Sequence, residues 1–253
     1  MTIVFIGAGN LATSLALALK RVGHTILQVY SYTSESAADL AGQLQCAFTT
    51  EFTSVNPDAD VYFYAVRDDV YSSIPAFPCN TESVHLLTSG SIPFAALQDR
   101  QHRGIFYPFQ TFSKQQPVSD FHHIPVMILG EDDYALSQAK LLAESISGKV
   151  YHSSEESLAR LHLAGVLANN FSNCMYALAG EQLEAAGLPF DILLPLIEET
   201  AKKVHNLPPR SAQTGPASRK DKSVMLRQLD LLDSEEKKQI YRLISDDIIR
   251  HSI

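Results

Sequence analysis

Cysteine is scarce in this chain and poorly placed for joint work. Cys46, Cys79 and Cys174 are odd in number and widely spaced, so they form no metal or redox motif, and each is expected to be a small buried apolar residue in a reducing cytoplasm. Long hydrophobic runs are missing, which excludes a membrane-spanning helix. A long basic cluster is missing too, and with a net charge of −8 this argues against nucleic acid as a main partner. The first residues lack a basic stretch ahead of an apolar core, so they are expected to be a strand and not a secretory signal. His122-His123 have no third ligand at metal spacing, so no metal is expected. Internal repeats and low-complexity tracts are absent. What remains is an ordinary apolar content of 45% over 253 residues, enough for one large domain or two smaller ones.

The most informative stretch is the opening. Thr2–Ile6 is a short apolar run, Gly7-Ala8-Gly9-Asn10-Leu11-Ala12 follows, and Leu15, Leu17 and Leu19 lie in a helix-forming segment. Strand, glycine turn and helix in that order make a phosphate cradle. Gly7 permits the sharp turn, Gly9 lets a pyrophosphate approach the backbone, and Ala12 keeps helix and strand close. The helix N-terminus adds free N–H groups and partial positive charge.

The first half continues as alternating strand-like and helix-like segments. Strands are expected at 25–31, near 46–49, and at 60–66, 83–88, 104–107, 125–129 and 150–151. Helices are expected at 34–44, capped by Ser34, and at 132–147. Such alternation gives a parallel, doubly wound α/β sheet whose ligands lie beyond the carboxyl ends of the strands. Past residue 150 no strand pattern appears. A long helix capped by Ser153 or Ser154, with Glu156 completing a capping box behind Ser153, is expected to run to about Ala186. Helices at 190–204, 222–232 and 234 onward follow. The expected domains are 1–152, binding nucleotide, and 153–253, helical.

An acidic residue closing the second strand would hold the ribose hydroxyls and repel a 2′-phosphate. Here Ser31-Tyr32-Thr33-Ser34 stand in that place, with no acid before Glu35, which favours NADP over NAD. Arg67, beyond the strand ending near Val66, can add positive charge. Ser89 and Gly90, after the next strand, are candidates for the nicotinamide end. In the helical half, His162, Asn169 and Asn173 form a polar stripe in an otherwise apolar helix, since amides disfavour helix interiors and cost about 1–3 kcal/mol when buried unpaired.

With these residues in view, the chain resembles the Rossmann-like proteins with a C-terminal domain of unknown function, grouped with deazaflavin-dependent NADP oxidoreductases and pyrroline-5-carboxylate reductases. The motifs are the glycine turn, Thr88-Ser89-Gly90-Ser91-Ile92-Pro93, Tyr107-Pro108-Phe109-Gln110-Thr111-Phe112-Ser113, His162-Leu163-Ala164 with Asn169-Asn170-Phe171, Gly187-Leu188-Pro189-Phe190, and Ala212-Gln213-Thr214-Gly215-Pro216. The resemblance implies a Rossmann domain, an all-helical C-terminal domain similar to that of 6-phosphogluconate dehydrogenase, and a homodimer. It also places Gln110 where the reductases carry an asparagine beside the nicotinamide. Related hydroxyacid dehydrogenases carry Lys-x-x-Asn-Asn on a helix. This chain keeps Asn169-Asn170 but has Val166 at the lysine position; either His162, one turn earlier on the same face, is the proton donor, or the substrate is an imine already protonated that needs little acid help. The expected function is an NADP-dependent oxidoreductase acting on a small imine or carbonyl in the cleft between domains. The alternative is a non-catalytic NADP-binding sensor or scaffold dimer.

Overall fold

Eight apolar runs bounded by turn residues become the strands of one sheet: β1 Thr2–Ile6, β2 Thr25–Tyr30, β3 Ala47–Thr49, β4 Val61–Tyr64, β5 Val84–Leu87, β6 Arg103–Pro108, β7 Val126–Gly130 and β8 Val150–His152. Their order is β3-β2-β1-β4-β5-β6-β7-β8. The structure, a computed structural model, describes residues 1–97 and 100–252. Its two compact units are Met1–Cys174 and Met175–Ile253. The sheet belongs to the first, and the expected start of the helical half at 153 falls at the opening of its last helices.

The central strands are buried on both faces, as parallel strands must be when both faces are covered. Alternate residues of β1 go to opposite cores. Ile3 and Phe5 pack with Leu15 and Leu19 of α1 (Asn10–Arg21), with Leu40 of α2 (Ser34–Leu44), and with Leu142 of α3 (Asp133–Ile146). Val4 and Ile6 pack with Tyr62, Tyr64, Tyr71 and Leu87 on the other side. β2 and β4 flank β1 in parallel, β4 in continuous register and β2 with a shift between Ile3 and Val4, so the chain leaves β1 in one direction along the sheet and returns to cross to the other. That reversal opens a crevice above the carboxyl ends of β1 and β4.

The elements differ from the sequence reading in informative places. β7 runs antiparallel to β6, pairing Ile105 with Leu129, because residues 109–125 contain no crossover helix and a parallel return needs one. Between β4 and β5, and between β5 and β6, the described residues of the connections carry only short 3-10 turns, Asp68–Ser73 and Phe94–Ala96. Pro75, Pro78 and Pro93 break any longer helix there. Ser34 is the first residue of α2 and not its cap. Thr33 takes the cap position, with no side-chain hydrogen bond.

The long helix is divided. α4 (Glu155–Gly165) is capped by Ser154, which accepts from Ser157 N; Ser153 and Glu156 do not form the expected capping box. A π-turn spans Val166–Asn170, and α5 (Phe171–Ala185) follows. Within one chain Leu163, Leu167 and Phe171 are each more than half exposed. The cysteines also depart from expectation. Cys46 and Cys79 are half-buried and Cys174 is exposed.

The second unit holds α6 (Leu194–Lys203), entered through a 3-10 turn at Phe190–Leu193, then α7 (Pro209–Ala212), α8 (Lys222–Asp230) and α9 (Glu235–His251). α7 interrupts what the sequence suggests is an unbroken loop at 206–221. Lys237 of α9 pairs with Glu181 at 2.6 Å and with Asp233 at 2.9 Å. Among the described residues no helix is long and apolar enough to cross a membrane, and no three His, Cys, Asp or Glu residues cluster as metal ligands would.

Candidate functional site

The turn after β1 is shaped by sterics. Gly7 has φ of +117°, and a Cβ on it would lie 2.2 Å from the carbonyl oxygen of Ala65. No side chain fits between the end of β1 and the end of β4. Gly9 is the N-cap of α1 and offers no side chain to its first N–H groups, and the first turn of α1 carries no acidic residue. The result is a concave backbone with unpaired donors and a favourable dipole, the arrangement that takes a phosphate group.

That turn lines one side of a groove of about 1080 Å³. At one end stand Tyr30, Ser31, Tyr32, Ser36 and Phe52. Gly7, Gly9, Asn10 and Leu11 hold the middle with Val66 and Arg67, and Ser89, Gly90, Tyr107 and His162 close the other end. The groove crosses β2, β1, β4, β5 and β6, four strand spacings or about 19 Å, the reach of an extended dinucleotide. The cradle and the donor set fit such a molecule. Ala12 is fully buried beneath the turn and packs without lining the groove. Thr33 and Ser34 are exposed and outside it, and Ser36 lines it in their stead.

Arg67 forms a two-pronged ion pair with Asp69, Nη2 to Oδ2 at 2.6 Å and Nε to Oδ1 at 3.1 Å, with both side chains largely exposed. An exposed pair of this kind holds together weakly, at about 0–1 kcal/mol, so the guanidinium is available to a stronger anion. Asp68, next to it, accepts a hydrogen bond from the Ser91 hydroxyl, and the Ser91 and Ser89 hydroxyls are 2.9 Å apart. The floor of the groove is fixed by Tyr71, whose hydroxyl donates to the Tyr64 carbonyl at 2.8 Å, and by Thr88, which donates to the same oxygen at 3.0 Å.

A second cavity of about 440 Å³ adjoins the first and shares Asn10, Leu11, Tyr107 and His162 with it. Gln110, Val166, Asn169 and Asn170 line it. Its wall is held by residues 109–125, which are tied to α1 where Lys114 N donates to Asn10 Oδ1 at 3.2 Å and Val118 N donates to Ser14 Oγ at 3.1 Å. All the residues of both cavities belong to the first unit.

The structure therefore brings His162, Gln110 and Asn169 together. Asn173 is not among the residues lining either cavity, and it is exposed. The π-turn supplies the reason. One extra residue in the turn rotates everything after it by about 100° relative to a continuous α-helix, so the stripe predicted from uniform helical spacing ends at Asn169. Asp68, Tyr71, Lys114 and above all Tyr107 also line the groove, none of them among the candidate site residues expected from the sequence. Tyr107 opens the Tyr107–Ser113 motif, but it sits inside a strand pattern that reads as core, and its position at the carboxyl end of β6 is the further signal that points to the site.

The model of the family "NADP oxidoreductase coenzyme F420-dependent" matches residues 2–83, and that of a domain of unknown function, DUF2520, matches residues 124–248. The crystal structure of a "putative NADP oxidoreductase" from Bacteroides fragilis is 44% identical, covers 98% of each chain and superposes with a TM-score of 0.93. The protein TM1727 from Thermotoga maritima is 21% identical over 99% of each chain, with a TM-score of 0.78. A 1-pyrroline-5-carboxylate reductase from Streptococcus pyogenes shares the fold at 13% identity and a TM-score of 0.64, over 99% of this chain and 98% of its own. No curated protein matches this chain.

Proposed function

Because this chain belongs to the oxidoreductase family that joins the coenzyme F420-type NADP oxidoreductase domain to DUF2520, we propose that it uses NADP(H) to reduce or oxidise a small imine or carbonyl compound. The observation that carries the reading is the steric cradle at Gly7, open to free N–H groups of α1 and continuous with a groove that ends at His162.

In this reading the backbone from Gly7 to Leu11 holds the diphosphate. Ser31, Tyr32 and Ser36 face the adenosine end, and Arg67 exchanges Asp69 for the 2′-phosphate, gaining a charge-assisted hydrogen bond. Ser89 and Gly90 flank the nicotinamide, which when bound supplies or accepts a hydride. His162 manages the proton at the reacting atom, while Gln110 and Asn169 orient the substrate through their amides. The chain is a homodimer here, since apolar side chains exposed along α4, the π-turn and α5 (Leu163, Leu167 and Phe171) and on α9 (Leu243) suit burial against a second copy.

Calorimetric titration with NADPH and NADH tests the cofactor. NADPH is expected to bind more tightly, and Arg67→Ala should weaken NADPH by about tenfold, or 1.4 kcal/mol, leaving NADH unchanged. Equal affinity of the native protein for the two would sink the NADP assignment. Turnover of imines or carbonyl compounds that His162→Ala abolishes while NADPH still binds would reject a sensor or scaffold role.

A further inference from the structure

We propose that the phenol of Tyr107 delivers the proton to the substrate, with His162 restoring it, and that the substrate is an uncharged carbonyl compound seated in the smaller cavity. This rests on the oxidoreductase reading above and deepens it.

Four residues line both cavities, and of these only Tyr107 and His162 carry side-chain groups that take part in acid–base proton transfer. They touch each other, with Tyr107 Oη 3.2 Å from His162 Nδ1. The ring of Tyr107 is wedged in place. A Cβ on Gly90 would meet its Cε1 at 2.7 Å, and Phe109 packs edge-on at 6.1 Å between ring centres. The phenol is therefore aimed at the junction where the nicotinamide end of the groove meets the substrate cavity. Burial first, and the nearby Asp68 second, push the phenol above its ordinary pKa, which keeps the proton on the oxygen until a stronger base forms beside it. Arg67, Asp68, Tyr71, Lys114 and His162 are the charged or titratable groups that line the groove with Tyr107, besides Tyr30 and Tyr32 at its other end.

The balance is simple. A hydride from reduced nicotinamide forms a C–H bond at the carbonyl carbon, and the C=O π bond breaks toward oxygen. That oxygen takes the proton of Tyr107, and the phenolate takes a proton from His162 Nδ1–H, which solvent replaces. One reduced nicotinamide dinucleotide and one proton are consumed, and one alcohol is formed. An imine that is already protonated would have no use for this pair, whereas a ketone or aldehyde does.

The lining of the smaller cavity sets the substrate class. Among the described residues it carries no lysine, arginine, aspartate or glutamate. Its polar groups are amides and hydroxyls such as Asn169, Gln110 and Thr111, set beside Phe109 and Phe112. Burying a carboxylate there without a cation would be costly, while a neutral carbonyl attached to an apolar group matches both surfaces.

The test pairs acetophenone with phenylglyoxylate, which differ in carrying a methyl or a carboxylate beside the carbonyl, using full-length protein, Tyr107→Phe and His162→Gln. NADPH binding by calorimetry is expected to stay within about threefold in both variants. Turnover of acetophenone should exceed that of phenylglyoxylate in the native protein and fall by about 100-fold or more in Tyr107→Phe, in the range expected for a lost general acid. In the cofactor-free protein the ring-nitrogen NMR signal of His162 should move on Tyr107→Phe. Native protein that binds no NADPH would take down the oxidoreductase reading and this proposal together. With NADPH bound, preference for phenylglyoxylate, full turnover in Tyr107→Phe, or an unmoved His162 signal would overturn the proposal alone.

Discussion

Gly7 is where a single methyl group decides most. An added Cβ meets a backbone carbonyl at 2.2 Å, and φ of +117° is a conformation side chains rarely adopt, so neither a rotamer change nor a small shift relieves Gly7→Ala. The variant should lose about 2 kcal/mol or more in urea unfolding and should bind NADPH far more weakly. His85 makes the complementary case in the core. Burial, reinforced by Arg100 and then His102, holds its pKa at about 3 against the usual 6.5. Tyr64 Oη lies 2.9 Å from its Nδ1, and the Tyr62 ring stacks on it at 5.1 Å. The folded protein keeps this ring neutral where the unfolded chain would protonate it. Stability from this source is whole above pH 6.5 and is lost as pH falls from there toward 3, with a limiting slope of about 1.4 kcal/mol per pH unit. Urea midpoints measured between pH 8 and pH 5 should fall more steeply for the native protein than for His85→Gln, and parallel curves would contradict this.

At the scale of one element, the start of α2 is the most diagnostic. Thr33 sits at the cap with no side-chain bond, leaving N–H groups that an anion can take. Thr33→Asp supplies the missing acceptor and should stabilise the fold by about 0.5–1 kcal/mol. It also places a negative charge at the start of α2, whose Ser36 lines the adenosine end of the groove. NADPH affinity should drop about tenfold while NADH affinity barely changes, and a proportional loss of both would place the phosphate elsewhere. The same element shows what the sequence could reveal. Ser31 and Tyr32 were legible as groove residues because they follow a strand end by rule. The cap moved by one residue because Ser and Thr are near-equals there, and only backbone angles choose between them. The π-turn was invisible for a stronger reason. Val166–Asn170 has no residue that demands a wider turn, so uniform spacing carried Asn173 onto the face of His162, where it does not belong. Tyr107 belongs to a legible motif but not to the legible site, because an aromatic residue within a strand pattern looks the same whether it faces a core or a cavity.

For the molecule as a whole, alternation of apolar runs was enough to foresee the doubly wound sheet and the helical remainder, since each strand's length and both-face burial are written in composition. The direction of β7 was not, because it depends on a connection that lacks a helix, and absence of a helix is hard to read from residues 109–125. Association belongs to this scale too. Leu243 of α9 is 70% exposed, an unusual place for leucine unless a partner covers it. Light scattering should give the mass of a dimer for the native chain, and Leu243→Asp should shift it toward monomer without loss of helicity. A native protein that stays monomeric at high concentration would refute the dimer.

The outermost strands, β3 and β8, are three residues each. A sheet this wide would ordinarily offer a foreign chain a long row of unsatisfied peptide groups on either flank. Here each flank is too brief to template further pairing, so the protein should tolerate crowding and concentration without growing into fibres through its sheet, whatever its helices do.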